Sequence, residues 1–349
     1  MKRITLSALL MTLFLLISCG SGSSKVEDPK TLFLTSIANL GKGFLDVFTS
    51  LSDMITGALG IKADTKKSDI GKYFTSIETT MNTVKKKLQD EVATNGNYVK
   101  IKEVVDKFIT NTLDKIAEGA KEAAKGATGE DKIGGATVGQ DAVPAKAESV
   151  NSLVKGIKTM VDIVLKNGEG RSDADATKNN NKKDVGKLLG TKAADGTEAQ
   201  AAAASASIGA VTGADILQAI AKSEEAKDND VGIETAKNAA EIAAAKQEAT
   251  KTLDAAEAQK DAVIAAGIAL RSMAKDGKFA VKTGENEAVK VINGAVSSAV
   301  NKTLSTLIIA IRNTVDSGLK SINAVLATVT QEDKSLEAIT PADVTASGQ

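Results

Sequence analysis

The chain has 349 residues with 44 basic and 44 acidic side chains, so global charge gives no reason to expect nucleic acid as a partner. It has no His, no Trp and a single Cys, which excludes Ser/His/Asp and Cys/His nucleophilic sites, His/Cys zinc sites and any internal disulfide. Ala, Lys, Glu and Asp dominate together with Leu, Ile and Val, which is a helical composition, and only Pro29, Pro144 and Pro341 interrupt it.

The chain opens with Lys2 and Arg3, then runs uncharged and mostly apolar from Ile4 to Ile17. A basic start, a short apolar run and a small residue before the cut define a secretory signal. The run is shorter than the about 20 apolar residues that a transmembrane helix needs. Leu16-Ile17-Ser18-Cys19-Gly20 resembles a bacterial lipobox, which implies cleavage before Cys19 and a diacylglycerol on its thiol. Two or more acyl chains anchor stably where one holds only marginally. The bland alternative is a plain signal peptide with an incidental cysteine. Removing Lys2 and Arg3 with the signal leaves 42 basic against 44 acidic residues. Gly20 to Ser24 reads as a flexible tether.

From Phe33 the apolar residues fall at Ile37, Leu40, Phe44, Val47, Leu51 and Met54. Alternating steps of four and three predict a helix with a narrow coiled-coil-like seam. Ile70, Phe74, Ile77, Met81, Val84 and Leu88 repeat the pattern, with Ser68-Asp69 placed to cap it. After a turn at Asn95-Gly96-Asn97, a third helix carries Ile101, Val105, Phe108 and Ile116 and ends near Gly126. A fourth carries Val150, Val154, Ile157, Val161 and Leu165 and stops at Asn167-Gly168. The longest runs from Ile292 through Leu307 to Val329. Uninterrupted over 285–330, it would span roughly 70 Å.

The stretches 126–143, 168–183 and 190–214 hold few large apolar side chains, which predicts exposed loops. Glu234 to Ala258 favours helix by propensity, but with so little apolar bulk that a solvent-facing or lightly packed helix is expected. Five of the six phenylalanines after the signal lie between Phe33 and Phe108. The heavy core is therefore expected at the N-terminal end, with the last long helix as its partner. Segment 259–283 carries Ile264, Ile268, Leu270, Met273, Phe279 and Val281, with a turn at Asp276-Gly277. Its bland reading is a buried helix and turn that ties the middle to the core, and its sharp reading is a ligand site.

Specific segments resemble a known family. Leu40-Gly41-Lys42-Gly43-Phe44-Leu45-Asp46-Val47-Phe48-Thr49-Ser50 and Lys66-Lys67-Ser68-Asp69 look like the start of the mature variable large proteins of Borrelia and their relative VlsE. So does Ala265-Ala266-Gly267-Ile268-Ala269-Leu270-Arg271-Ser272-Met273-Ala274-Lys275-Asp276-Gly277-Lys278-Phe279-Ala280-Val281-Lys282, which is similar to an invariant region of that family. Asp316-Ser317-Gly318-Leu319 fits its ending. The resemblance covers the whole chain. It implies a mostly helical outer-surface lipoprotein used in antigenic variation, with both termini near the membrane and variable segments outward. Its partners would be outer membrane lipid, through the acyl chains on Cys19, and host antibodies.

Other chemistry finds weak support. Glu224-Glu225 and Asp90-Glu91 read as solvated helix faces. Gly134-Gly135 and Gly168-Glu169-Gly170 lack the preceding strand and the following G-K-[ST] of a phosphate loop. Asp173-Ala174-Asp175 lacks the rest of a calcium loop. Lys66-Lys67, Lys85-Lys86-Lys87 and Lys182-Lys183 could meet a host polyanion such as a glycosaminoglycan, or simply be solvated.

The expected fold is all-α: an elongated bundle of packed N- and C-terminal long helices, with polar Ala/Gly-rich loops and short helices inserted between them. The expected organisation is a signal peptide over 1–18, a lipidated cysteine and tether over 19–30, one helical domain over 31–335 and a flexible tail over 336–349. Variable-type loops are placed at about 126–149, 168–214 and 226–258, and the invariant-type segment at 259–283. The expected function is that of a non-enzymatic surface antigen with no cofactor beyond the lipid. A host-ligand adhesin is the alternative, and an enzyme a distant third.

Overall fold

A computed structural model describes residues 29–54, 60–95, 98–177, 181–228 and 230–333. Among them are ten α-helices and no strands, with isolated antiparallel bridges at Lys66–Lys132, Gln140–Val281 and Val143–Lys278. The all-α expectation is borne out, and the large apolar residues explain most of it.

Helix α1 runs Pro29–Met54 and buries Leu40, Phe44 and Val47. Pro29 sits at its first position, where the missing N–H breaks no internal bond. Leu51 and Met54 lie outside the described side chains. Helix α2, Lys67–Thr94, buries all six residues of its predicted seam. It begins one residue before the expected Ser68-Asp69 cap: Lys66 is the N-cap and makes no side-chain capping bond. Asp69 falls in the first turn instead, where a carboxylate suits the positive end of the helix dipole.

The third predicted helix is one continuous rod. Helix α3, Val99–Phe108, passes through a single π turn at Ile109–Leu113 into α4, Asp114–Gly126. The turn's wider winding keeps both Ile109 and Leu113 buried. Helix α5, Ala147–Val164, packs antiparallel against α4 across small residues. A Cβ on Gly156 would stand 2.3 Å from the Ala123 nitrogen, so only glycine permits this approach. Helix α10, Asn286–Leu326, has 41 residues and contacts α1, α3, α5, α6, α7 and α9. At about 1.5 Å per residue it is about 60 Å long. It is apolar enough to cross a membrane by composition, but its apolar stripe from Ile292 to Leu326 is packed inside the bundle.

The middle of the chain departs from expectation. Far from lying outside the core, it continues the core as a dense, alanine-rich part. Helices α6 (Glu198–Ala210), α7 (Gly213–Ala221) and α8 (Ala239–Ala244) surround α9 (Asp261–Met273). Every residue of α9 except Val263 is buried, as befits a helix covered on all sides. The stretch 190–214, expected as exposed loop, holds α6 and buries Ala201, Ala203, Ala204 and Ile208. Within 234–258 only α8 and the end of a short 3₁₀ turn are helical, and Ala239, Ala240, Ile242, Ala243, Ala244 and Ala245 are all buried. The reason is size: alanine forms close-packed layers where no large residue fits, so scarcity of large apolar residues did not mean exposure. In 126–143 the outcome is mixed, with Ile133 and Ala142 buried and residues 128–132 exposed. Residues 171–177 are half-buried to exposed, as expected for a loop.

Truncating Phe44→Ala or Leu307→Ala, both fully buried, is expected to cost about 2–5 kcal/mol in denaturant melts. Asp173→Ala, on the exposed loop, should stay within about 0.5 kcal/mol. Equal effects would contradict the division into core and loop.

Candidate functional site

The charged residues that the fold takes out of water mark where its layers are joined. Lys67, the first residue of α2, is buried. Its Nζ donates to the carbonyls of Ala274 at 2.6 Å, Gly277 at 2.8 Å and Arg271 at 3.3 Å. The Arg271 and Ala274 carbonyls are at the C-terminal end of α9, where helix carbonyls lack internal partners, and Gly277 lies in the turn that follows; a cation there also meets the negative end of the helix dipole. Burial and the neighbouring Arg271 push the Lys67 ammonium down to about 7, while its three carbonyl partners favour the charged form.

Arg271 repeats the device one layer further out. It projects from the last turn of α9 and is fully buried. Its Nη1 donates to Ala243 O at 2.9 Å, with Ala245 O at 3.4 Å and Ile242 O at 3.5 Å, all at the C-terminal end of α8. Its Nε donates to Lys278 O at 2.9 Å, and the guanidinium lies over the Phe279 ring at 5.8 Å. Burial pushes it down to about 9, still charged at neutral pH. Lys302 of α10 does the same for α6, donating to Ile208 O at 2.7 Å and Val211 O at 2.9 Å.

Buried carboxylates serve the opposite polarity. Asp261, at the start of α9, accepts from the Thr177 N–H at 2.6 Å and lies 3.8 Å from Lys182 Nζ. Asp195 accepts from the N–H groups of Thr191 at 3.1 Å and Thr250 at 2.9 Å. The next residue, Gly196, has φ of +80°, and a Cβ there would stand 2.1 Å from Ala280 O. A glycine is required for 190–200 to close onto 278–283.

In each of these groups a buried or, for Lys302, half-buried charged side chain addresses main-chain carbonyls or N–H groups. The buried reading of 259–283 is supported, and the segment is the hub of the alanine-rich part of the core. Sequence reasoning missed Lys67, Arg271, Lys302, Asp195 and Asp261. As a sequence, Lys66-Lys67 reads as a solvated or polyanion-binding pair, whereas only Lys66 faces water, paired with Glu130 at 2.7 Å. A lysine in the first turn of a helix, where cations are disfavoured, was the available signal.

The other candidates disperse into ion pairs. Lys85 meets Asp114 at 2.7 Å, and Lys86 meets Asp90 at 3.5 Å. Asp175 is shared by Lys182 and Lys260, and Asp173 pairs with Arg171 at 3.3 Å. Glu91 accepts from Asn95 Nδ2 at 2.9 Å, and Glu224 and Glu225 are exposed. Among the described residues no group of three or more acidic or Cys side chains could hold a metal ion. Cys19 lies outside the described residues.

A layered helical domain of this kind is what the comparisons with known proteins return. The family described as Borrelia lipoprotein matches residues 44–326. A crystal structure of the Lyme disease variable surface antigen VlsE of Borrelia burgdorferi superposes with a TM-score of 0.74 at 36% identity, covering 83% of this chain and 97% of that one. More similar still are two proteins of Borrelia hermsii. Variable large protein 4 is 63% identical over 354 residues, covering 99% of this chain and all of that protein. Variable large protein 17 is 64% identical, covering 100% and 98%. The chain belongs to the Borrelia lipoprotein family and, within it, to the variable large proteins. This is a family of surface antigens involved in antigenic variation, not a family of enzymes.

The depressed Lys67 gives a pH signature. Between about 7 and the ordinary value of 10.5 the unfolded chain holds a proton that the folded chain has released. Stability therefore gains from this group as pH rises through that window, and the gain is absent below pH 7. Lys67→Met should remove that slope in urea melts at pH 7 and 9. It should also cost about 2–4 kcal/mol by leaving buried carbonyls unpaired. An unchanged slope would contradict the assignment.

Proposed function

We propose that the protein is a variable antigen of the cell outer membrane, held by acyl chains on Cys19, whose outer segments are exchanged so that host antibody against one form misses the next. The observation that supports this reading is the main-chain addressing of those segments by Arg271, Lys302 and Asp261, which lie outside them. A carbonyl or N–H is the same whatever side chain its residue bears. The segments about 126–149, 168–214 and 226–258 can thus change their exposed side chains without losing these bonds. The surface changes cheaply, and the buried layer that holds it does not change.

Two measurements test it. Cys19→Ala should abolish labelling by a palmitate analogue and shift the protein from the detergent phase to the aqueous phase. Persistent labelling would remove the anchor. On live cells, serum raised against residues 166–177 should stain by flow cytometry, whereas serum against 259–283 should bind only the denatured protein on a blot. Strong live-cell staining by the second serum would contradict concealment and favour a host-ligand adhesin. The lysine clusters offer that adhesin reading little, since Lys66, Lys85, Lys86 and Lys182 are engaged within the chain.

A further inference from the structure

Among the described residues, Leu32, Leu34, Leu45, Val99, Val138, Val143 and Ile309 are the exposed large apolar side chains. Three of them collect at one end. Leu32 and Leu34 flank Phe33, whose ring meets Tyr98 edge-on at 5.7 Å between centroids, and Val99 follows Tyr98. Next to Val99, Lys100 pairs with Asp333 at 2.9 Å, so the last described residues lie at the same end. Leu32, Leu34 and Val99 are 45%, 43% and 48% exposed. Phe33 and Tyr98 make the ring contact between α1 and α3, and the outer part of these three side chains faces water.

This is also the end from which the chain leads back to Cys19. Leu32 lies thirteen positions after Cys19, a reach of at most about 45 Å when fully extended. Once Cys19 is in a bilayer, these side chains are confined next to the lipid surface. A contact too weak to bind from solution then becomes populated, because the anchor supplies a high effective concentration. We propose that Leu32, Leu34 and Val99 form a foot that settles into the headgroup boundary of the membrane carrying Cys19. The proposal rests on the acylation reading. Its charge pattern suits a zwitterionic surface: the Lys100 charge is met by Asp333, and Glu332 beside it is exposed. A domain seated on this foot, and not merely tethered, would present the same side to the outside at all times.

The chain contains no tryptophan and only one cysteine, which makes the test direct. The processed chain, beginning at Cys19, is coupled through that thiol to a maleimide lipid in phosphatidylcholine vesicles brominated high on the acyl chains. Reporters are introduced singly as Leu34→Trp, Val99→Trp and, as a control, Ile309→Trp, seventeen residues before the end of α10. Circular dichroism checks that each variant is folded. Fluorescence is expected to fall about twofold for both foot reporters relative to unbrominated vesicles, and not for the control, since interfacial burial reaches only about 5–10 Å deep. Failure at either foot reporter, or equal quenching at all three, would overturn the proposal. A density-dependent blue shift without quenching would show a second copy covering the foot and would also overturn it. Chemical coupling bypasses cellular acylation, so failure here leaves the anchor reading standing, and failure of palmitate labelling leaves this result intact.

Discussion

The fold depends on basic side chains that donate hydrogen bonds to the ends of helices inside it. A helix that stops inside a protein leaves carbonyls without partners, and each costs free energy unless something donates to it. Here α9 stops against Lys67, α8 against Arg271 and α6 against Lys302. The bundle helix α2 thus holds α9, α9 holds α8, and the long α10 holds α6. Desolvating a charge is expensive, and these contacts offset the cost only because several carbonyls and a helix dipole converge on each one.

Two kinds of packing meet at this relay. On one side, α1 to α5 and α10 bury leucine, isoleucine, valine and phenylalanine at heptad-like spacing, with glycine and alanine where α4 meets α5. On the other, α6 to α9 pack largely through alanine around the larger side chains of α7 and α9, with α9 at the centre. Alanine layers contribute less apolar area per residue than leucine seams. The directed polar contacts of Arg271, Asp195 and Asp261 therefore matter most where the core is poorest in large side chains. They also leave the outward-facing side chains free, which is the requirement a variable surface imposes.

The first kind of packing was legible in the sequence and the second was not. The steps from Ile70 to Leu88 and from Ile292 to Leu326 mark buried stripes because large side chains at regular spacing have few alternatives. Ala239 to Ala245 is silent in that sense, since alanine is at home both in a core and on a surface. The roles of Lys67 and Arg271 could not be read from spacing either. Lys67 finds Gly277 across 210 positions, and Arg271 finds Ala243 across 28. What the sequence did offer was the resemblance of 265–282 to a family's invariant region, and the fold supplies its physical reason. That segment contains the hub, and its neighbours bond to it through their backbones.

Arg271 holds the layer formed by α8 through that layer's backbone carbonyls. Native-state hydrogen exchange on the intact protein and on Arg271→Met, compared peptide by peptide, tests it most directly. In the unaltered protein the amides of 239–245 should exchange as slowly as those of α9. In Arg271→Met they should become fast, through local opening, while α2, α4 and α5 stay protected. Retained protection of 239–245 in the variant would contradict the account, since the layer would then be held by alanine packing alone.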